Sequence, residues 1–399
     1  MEKLTQQKLH KNYLDLLQIL QKDYNIEDLS RLDLTCREHE GEATVVAFPI
    51  QGVLKYHGMR DPQERIAYFS SISLNNGAAA TITYIHLSRK RATDILILNG
   101  AEVKADSQIF QRVKYQLEQI RKITKLSSKA LIISRNVYIS QNSPLNFKEV
   151  KEKGLGTSAS AGAAIAAAIM HIIYPSDSKI RDHDQVRSIF ARFLAGSAAR
   201  SATGGFSLWV SHPLASSWES FSIRLDLPKD EPFIQELSLL TIPIKSSLKT
   251  EHAHKSVLKS PFYEPWLNTR EDKIEEFIKA LRAHDFNKMG KLMEEDTLAL
   301  HAVSMTTGIA DYILAWEPET LSIMKKIRNL RTMHHLPVYY SIDTGPTVVV
   351  FTLASEEENV IRKMKEEFPS LPIIQSKIQG SPRIIHPQSR EYQTIQAFI

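Results

Sequence analysis

Gly154-Leu155-Gly156-Thr157-Ser158-Ala159-Ser160-Ala161-Gly162 runs directly into Ala163-Ala164-Ile165-Ala166-Ala167-Ala168-Ile169. Glycines and small hydroxyl residues ahead of a helix-forming run turn several backbone N–H groups toward one point at a helix N-terminus, which suits an anion. The glycines let a phosphate approach the backbone, and Thr157 and Ser158 add hydroxyl donors without bulk. The same small residues equally allow two helices to pack closely, so the stretch alone reads either as a phosphate cradle or as a packing device. It has neither the Gly-Lys-Ser/Thr ending of a Walker loop nor the Gly-x-Gly-x-x-Gly dinucleotide spacing.

Around this stretch lies a chain of 399 residues, 43% of them hydrophobic, long enough for two lobes or one large two-layer domain with a substantial core. No apolar run is long enough to span a bilayer, and the start Met1-Glu2-Lys3-Leu4 carries no signal-peptide core, so a cytoplasmic location is expected. Cys36 is the single cysteine, which excludes an intrachain disulfide and a multi-cysteine metal site. The net charge of +5 is spread along the chain and nearly balanced by acids. A small polyanionic substrate accounts for it without nucleic acid.

Tyr13, Leu16, Leu17 and Leu20 have helical spacing, which predicts an N-terminal helical extension over residues 1–35. Apolar or alternating runs over 43–53, 72–74, 79–87 and 95–98, punctuated by Asn75-Asn76-Gly77 and Asn99-Gly100, predict strands and hairpins of an antiparallel sheet. Further helices are expected over 107–123, 157–173, 185–196, 272–283, 286–302 and 319–329. Strands are expected over 130–134, 137–140, 237–244, 338–342 and 348–353. The organisation is α+β, with one lobe over 36–230 and a second over 231–399.

Four separated segments combine functional groups with turns or small residues: Lys55-Tyr56-His57-Gly58, the 154–162 loop, Ser197 to Gly205, and Asp343-Thr344-Gly345-Pro346. Brought together, they would set a lysine, an arginine and an aspartate around a phosphate cradle. Lys55 ends the apolar run Gly52-Val53-Leu54 and reads as a strand-end cation or a surface lysine. Arg200 lies among Ser197, Ala198, Ala199, Ser201 and Ala202, which leave room for its planar fork to meet a carboxylate or a structural ion-pair partner. Asp343 either aims into a cleft or forms a turn with Gly345-Pro346. His57 has no second ligand at metal spacing, so no metal site is expected. The basic segment Lys245 to Lys259 reads as a flap over an anionic group or as a solvated loop.

Together, from about Val45 to about Leu353, these segments resemble the diphosphomevalonate decarboxylases of the GHMP kinase superfamily. Gly52-Val53-Leu54-Lys55-Tyr56-His57-Gly58 is similar to that family's Ala-Val-Ile-Lys-Tyr-Trp-Gly. Ser197-Ala198-Ala199-Arg200-Ser201 with Gly204-Gly205-Phe206 resembles its Ser-Ala-Cys-Arg-Ser and Gly-Gly-Phe pattern, and Asp343-Thr344-Gly345-Pro346 its Asp-Ala-Gly-Pro. The resemblance implies a two-lobed α+β GHMP-kinase-like fold with antiparallel sheets and a cleft between lobes. It implies Asp343, Lys55 and Arg200 as catalytic residues, and Tyr56, Gly156, Thr157, Ser158 and Ser197 as substrate-binding ones. It also implies a small phosphorylated mevalonate as substrate, and leaves a homodimer open.

Five further residues at three places depart from the family pattern. Lys151-Glu152-Lys153 replaces Pro-Thr-Ala before the loop, Met59 replaces a lysine, and Thr347 replaces an asparagine. On these grounds the resemblance favours the archaeal branch acting on mevalonate 3,5-bisphosphate, which needs no cofactor. The alternative is a decarboxylase using ATP and Mg, and a small-molecule kinase comes third.

Overall fold

A computed structural model describes residues 3–140, 143–149, 156–245, 250–309, 312–389 and 392–393. Gly154 and Leu155 of the glycine loop, Lys151-Glu152-Lys153, and Ser246, Ser247 and Lys249 of the basic segment lie outside them. Among the described residues no helix is long and apolar enough to cross a membrane.

Three larger sheets, a two-stranded one of Met59–Asp61 and Ile66–Ala67, and the helices between them form the α+β architecture expected. In the largest sheet, Gly41–Ala47, Ala79–Ser88 and Lys129–Ser140 are neighbours, with Arg383–Ile385 on the outer side of Gly41–Ala47 and Ile95–Leu98 beyond Lys129–Ser140. A second sheet runs Phe221–Arg224, Phe206–Val210, Ser71–Asn75, Ile50–Leu54. The third runs Val338–Ser341, Val348–Leu353, Leu237–Ile242, Ile374–Ser376.

The run 43–53 is two strands in two sheets, Gly41–Ala47 and Ile50–Leu54, and not one. Pro49 sits at the break; it has no N–H to give a ladder, while its carbonyl accepts from Asn76 N at 2.8 Å. Conversely, 130–134 and 137–140 are one strand, Lys129–Ser140, paired along its length with Ala79–Ser88. Ile95–Leu98 pairs with it in parallel, which departs from the antiparallel expectation. Helix Gln108–Thr124 lies between the two in sequence and supplies the crossover that a parallel pair requires. Ser107 starts that helix by accepting from Phe110 N.

The glycine loop leads into helix Thr157–Ile173, which is buried along nearly its whole length. Alanines allow this, because a Cβ placed on Gly162 would lie 2.8 Å from Ala198 Cβ and 3.0 Å from the Ala191 carbonyl. Gln116 ties the neighbouring helices together by donating to Gly162 O at 2.9 Å and Phe190 O at 3.0 Å. The packing reading of the small residues is therefore realised from Gly162 onward. The N-terminal helix Lys3–Leu20 buries Leu9, Tyr13, Leu16 and Leu20, while Leu17 is partly buried.

Helix Phe286–Met305 backs the third sheet, and Gly290 permits its contact with Tyr339. A Cβ there would clash with the Tyr339 ring, whose hydroxyl donates to Asn287 Oδ1 at 3.0 Å. Gly290→Ala is expected to cost about 1–3 kcal/mol through overpacking, despite the better helix propensity of alanine. Urea unfolding of the variant checks this; an unchanged midpoint would show that the ring moves aside freely.

Candidate active site

Strand Ile50–Leu54 ends by delivering Lys55, Tyr56 and His57 to the floor of a cleft of about 520 Å³. The loop after strand Val338–Ser341 brings Asp343 to the same cleft, the short helix Ala198–Ser201 brings Arg200, and the start of helix Thr157–Ile173 brings Ser158. The four segments singled out in the sequence thus meet. Lys55, Tyr56, His57, Gly156, Ser158, Ser197, Arg200 and Asp343 all line the cleft. Thr157 lies next to two of them but does not line it.

Gly52 is the hinge of this arrangement. Its N–H donates to Asp343 Oδ1 at 3.1 Å, and Gln51 Nε2 donates to the same oxygen at 3.1 Å. Ser341 Oγ donates to Gly52 O at 2.6 Å, which locks the Asp343 loop against the Lys55 strand. A Cβ on Gly52 would lie 2.6 Å from Asp343 Oδ1 and 2.8 Å from Lys55 Cγ. Glycine is required because the carboxylate and the lysine stem converge on the space a side chain would fill.

Lys55 is 4% exposed, and its ammonium donates to Thr297 Oγ1 at 2.9 Å. Its backbone N–H donates to Asp296 Oδ2 at 2.6 Å and its carbonyl accepts from Arg270 Nη2 at 3.0 Å. Arg270 and Asp296 form a buried ion pair with each other. Burial pushes the Lys55 ammonium below the usual lysine range, while Asp296 and Asp343 raise it. Burial likewise pushes the Asp343 carboxyl up, and Lys55 and the Gly52 N–H pull it down.

Arg200 is 2% exposed; it donates to Ser71 Oγ at 3.0 Å and lies over the Tyr56 ring at 5.0 Å. Its Nε has no hydrogen-bond partner in the protein, and no carboxylate among the described residues pairs with it. The ion-pair reading is thus not realised, and the guanidinium keeps donors for an anion in the cleft. His57 is buried, exchanges a hydrogen bond with Thr344 Oγ1 at 3.2 Å, and is held well below the ordinary histidine value by burial.

Gly156 has φ +66° and caps helix Thr157–Ile173, and Gly156, Ser158 and Ala159 line the cleft, so the helix N-terminus borders it. This half of the loop fits a phosphate. The basic segment is helical over Thr250–Ser256, so its described part is not a solvated loop, and His254 and Lys255 line the cleft.

Sequence reasoning missed Gln51, Arg270, Asp296, Thr297 and Ser341. A signal for two of these existed. In helix Phe286–Met305 the buried apolar positions Met289, Leu292, Met293, Leu300 and Val303 form one stripe, and Asp296 and Thr297 fall within it. An acid on an apolar face needs a buried cation, and Arg270 is that partner.

Comparison with known proteins adds to this geometry. The family model of the diphosphomevalonate decarboxylase-like N-terminal domain matches residues 47–218, and that of the mevalonate 5-diphosphate decarboxylase C-terminal domain matches residues 245–397. The phosphomevalonate decarboxylase of Haloferax volcanii is 31% identical over 324 residues, covering 80% of this chain and 90% of the relative. The mevalonate 3,5-bisphosphate decarboxylase of Thermoplasma acidophilum is 25% identical over 306 residues, covering 77% of this chain and 69% of the relative. The solved mevalonate diphosphate decarboxylase of Enterococcus faecalis superposes with a TM-score of 0.73 at 25% identity, covering 87% of this chain and 99% of that one.

Proposed function

Because this chain belongs to the diphosphomevalonate decarboxylase family and is a decarboxylase of the mevalonate pathway, we propose that its substrate is mevalonate 5-phosphate and its product isopentenyl phosphate. The observation that carries this reading is the convergence of Lys55, Arg200 and Asp343 on one cleft, with no carboxylate among the described residues in an ion pair with Arg200 and its Nε unpartnered. Arg200 binds and orients the substrate carboxylate. Asp343 accepts the proton of the 3-hydroxyl as that oxygen becomes phosphorylated.

In the elimination that follows, the C3–O bond breaks and its electron pair leaves with the phosphate. The electron pair of the bond to the carboxyl carbon then becomes the new carbon–carbon double bond as carbon dioxide departs. Lys55 faces the charge that accumulates on the departing oxygen. No proton is removed in this second step, so a base is needed only for phosphorylation.

ATP, when bound, supplies the phosphoryl group, and Ser158 with the N–H groups after Gly156 would hold its phosphates. Among the described residues no group of acidic, histidine or cysteine side chains could hold a metal ion unaided. Magnesium would enter through the phosphates it accompanies.

The sequence departures favour mevalonate 3,5-bisphosphate and no ATP. The 31% identity to a phosphomevalonate decarboxylase weighs against them, while Met59 and Thr347 both line the cleft and Thr347 also accepts a hydrogen bond from Ile244 N at 3.3 Å. The bisphosphate reading stands as the second one, supported by the Thermoplasma relatives and by the altered residues 151–153. One assay separates the two. Carbon dioxide and phosphate released from mevalonate 5-phosphate only when ATP and Mg are present support the first reading. Turnover of mevalonate 3,5-bisphosphate without nucleotide, with none of mevalonate 5-phosphate plus ATP, would replace it by the second.

A further inference from the structure

His57 and Thr344 stand beside the lysine and the aspartate of the site, His57 two positions after Lys55 and Thr344 directly after Asp343, and both line the cleft. The family motifs quoted above carry tryptophan and alanine at these two positions, and an alanine side chain has no group to bond. Here the imidazole Nε2 lies 3.2 Å from Thr344 Oγ1. Both partners are held firmly. His57 is 3% exposed, its carbonyl accepts from Tyr263 Oη at 2.8 Å, and its ring meets that of His254 with centroids 4.8 Å apart. The loop that carries Thr344 is pinned at both ends: Asp343 accepts from Gly52 N–H at 3.1 Å, and Pro346 O accepts from Thr320 Oγ1 at 3.1 Å.

The direction of the His57–Thr344 bond follows from what surrounds the ring. Burial, and then His254, His301 and Lys55 about it, keep the imidazole from taking a second proton. Its Nδ1 is buried without a hydrogen-bond partner. A proton on that atom would be a stranded donor, which costs more than an unused lone pair, so the single proton sits on Nε2 and Nε2–H donates to Thr344 Oγ1. The Thr344 hydroxyl hydrogen then has to point elsewhere. Thr344 is partly exposed where it lines the cleft, and no other group among the described residues bonds to its Oγ1.

We propose that Thr344 Oγ1 donates a hydrogen bond to the phosphate carried on the C3 oxygen of the substrate, and that His57 is the positioning residue that turns this donor into the cleft. Asp343, which meets the 3-hydroxyl in the functional reading, is the neighbour of Thr344 in the chain, so the C3 oxygen comes to the same wall. As the C3–O bond breaks, negative charge grows on the departing phosphate, and a donor already fixed in place stabilises that state more than the ground state. A hydroxyl, unlike a cation, does this without neutralising the carboxylate beside it. The inference rests on the reading that the substrate is a phosphorylated mevalonate. It holds for both phosphorylation patterns, because in each the C3 oxygen carries phosphate when the bond breaks.

The test is steady-state turnover by the full-length protein of mevalonate 5-phosphate with ATP and Mg, and of mevalonate 3,5-bisphosphate without nucleotide, followed on whichever compound wild type accepts. Thr344→Val keeps the shape and loses the hydroxyl, and is expected to lower kcat by roughly 10- to 100-fold with KM little changed. Thr344→Ser should keep most of kcat. His57→Leu should lose as much as Thr344→Val, and combining the two should cost little more, since both act through one donor. His57→Gln, whose amide can still donate to Thr344, should fall between wild type and His57→Leu. Unchanged kcat in Thr344→Val, or a loss in Thr344→Ser as large as in Thr344→Val, overturns the inference and leaves the functional reading intact. So does a double variant in which the two losses multiply, for then His57 does not act through Thr344. Wild type that turns over neither compound overturns both.

Discussion

Asp343→Asn is expected to lower turnover of mevalonate 5-phosphate by about 10²- to 10⁴-fold with little change in substrate affinity. The amide oxygen of asparagine can still accept from Gly52 N–H and Gln51 Nε2, which hold the carboxylate at 3.1 Å each, so the loop should keep its place. What is lost is the negative charge facing Lys55 and the ability to take a proton. Supplying mevalonate 3,5-bisphosphate to the same variant separates these two roles. If Asp343 works as the base for phosphorylation, the variant recovers most of its activity on the pre-phosphorylated compound. If its charge stabilises the elimination, the loss persists with both substrates. Unchanged turnover on mevalonate 5-phosphate would reject Asp343 as a catalytic residue.

The pH profile follows from the same pair. Burial raises the Asp343 carboxyl above its usual range, so activity that needs the carboxylate should fall on acidification sooner than for a solvated aspartate. Burial lowers the Lys55 ammonium, so activity that needs its charge should fall on alkalinisation before the ordinary lysine range. A bell is expected, with its acid limb lost in Asp343→Asn.

Lys55, Arg200 and Asp343 were legible in the sequence because each sits where a period breaks: at a strand end, among small residues, beside Gly-Pro. Such positions put a side chain into open space, and chemistry needs open space. Strand pairing was less legible, since periodicity reports which face is buried and not which neighbour a strand takes. The parallel partner of Ile95–Leu98 and the sheet change at Pro49 are both decided by packing over long sequence separations. The support under Lys55 was the hardest to read. Its hydrogen-bond partners come from Arg270, Asp296 and Thr297, more than two hundred residues away, and only the acid in an apolar stripe marks them. The short helices Thr250–Ser256 and Tyr263–Leu267 also escaped notice, because five to seven residues carry too little period to distinguish helix from loop.

That support yields the largest stability effect to be expected of a single substitution here. Arg270 is stacked near Trp266 and Phe69, at 4.9 and 5.3 Å from their ring centroids, and its charge is met by Asp296. Both side chains are almost wholly inaccessible, at 2% and 0%. Asp296→Ala strands the guanidinium without a counter-charge and removes the acceptor for Lys55 N, and should cost about 3–5 kcal/mol. A second change, Arg270→Met, takes away the stranded charge and should restore part of that loss, since an apolar side chain can replace one member of an absent pair. Turnover should not return with stability. The Lys55 N–H and carbonyl would both have lost their partners, so the backbone that aims the ammonium would no longer be fixed. Denaturant unfolding read beside turnover on the two variants distinguishes the cases. If activity recovers in step with stability, Asp296 and Arg270 merely hold the fold; if stability recovers and activity does not, they position Lys55.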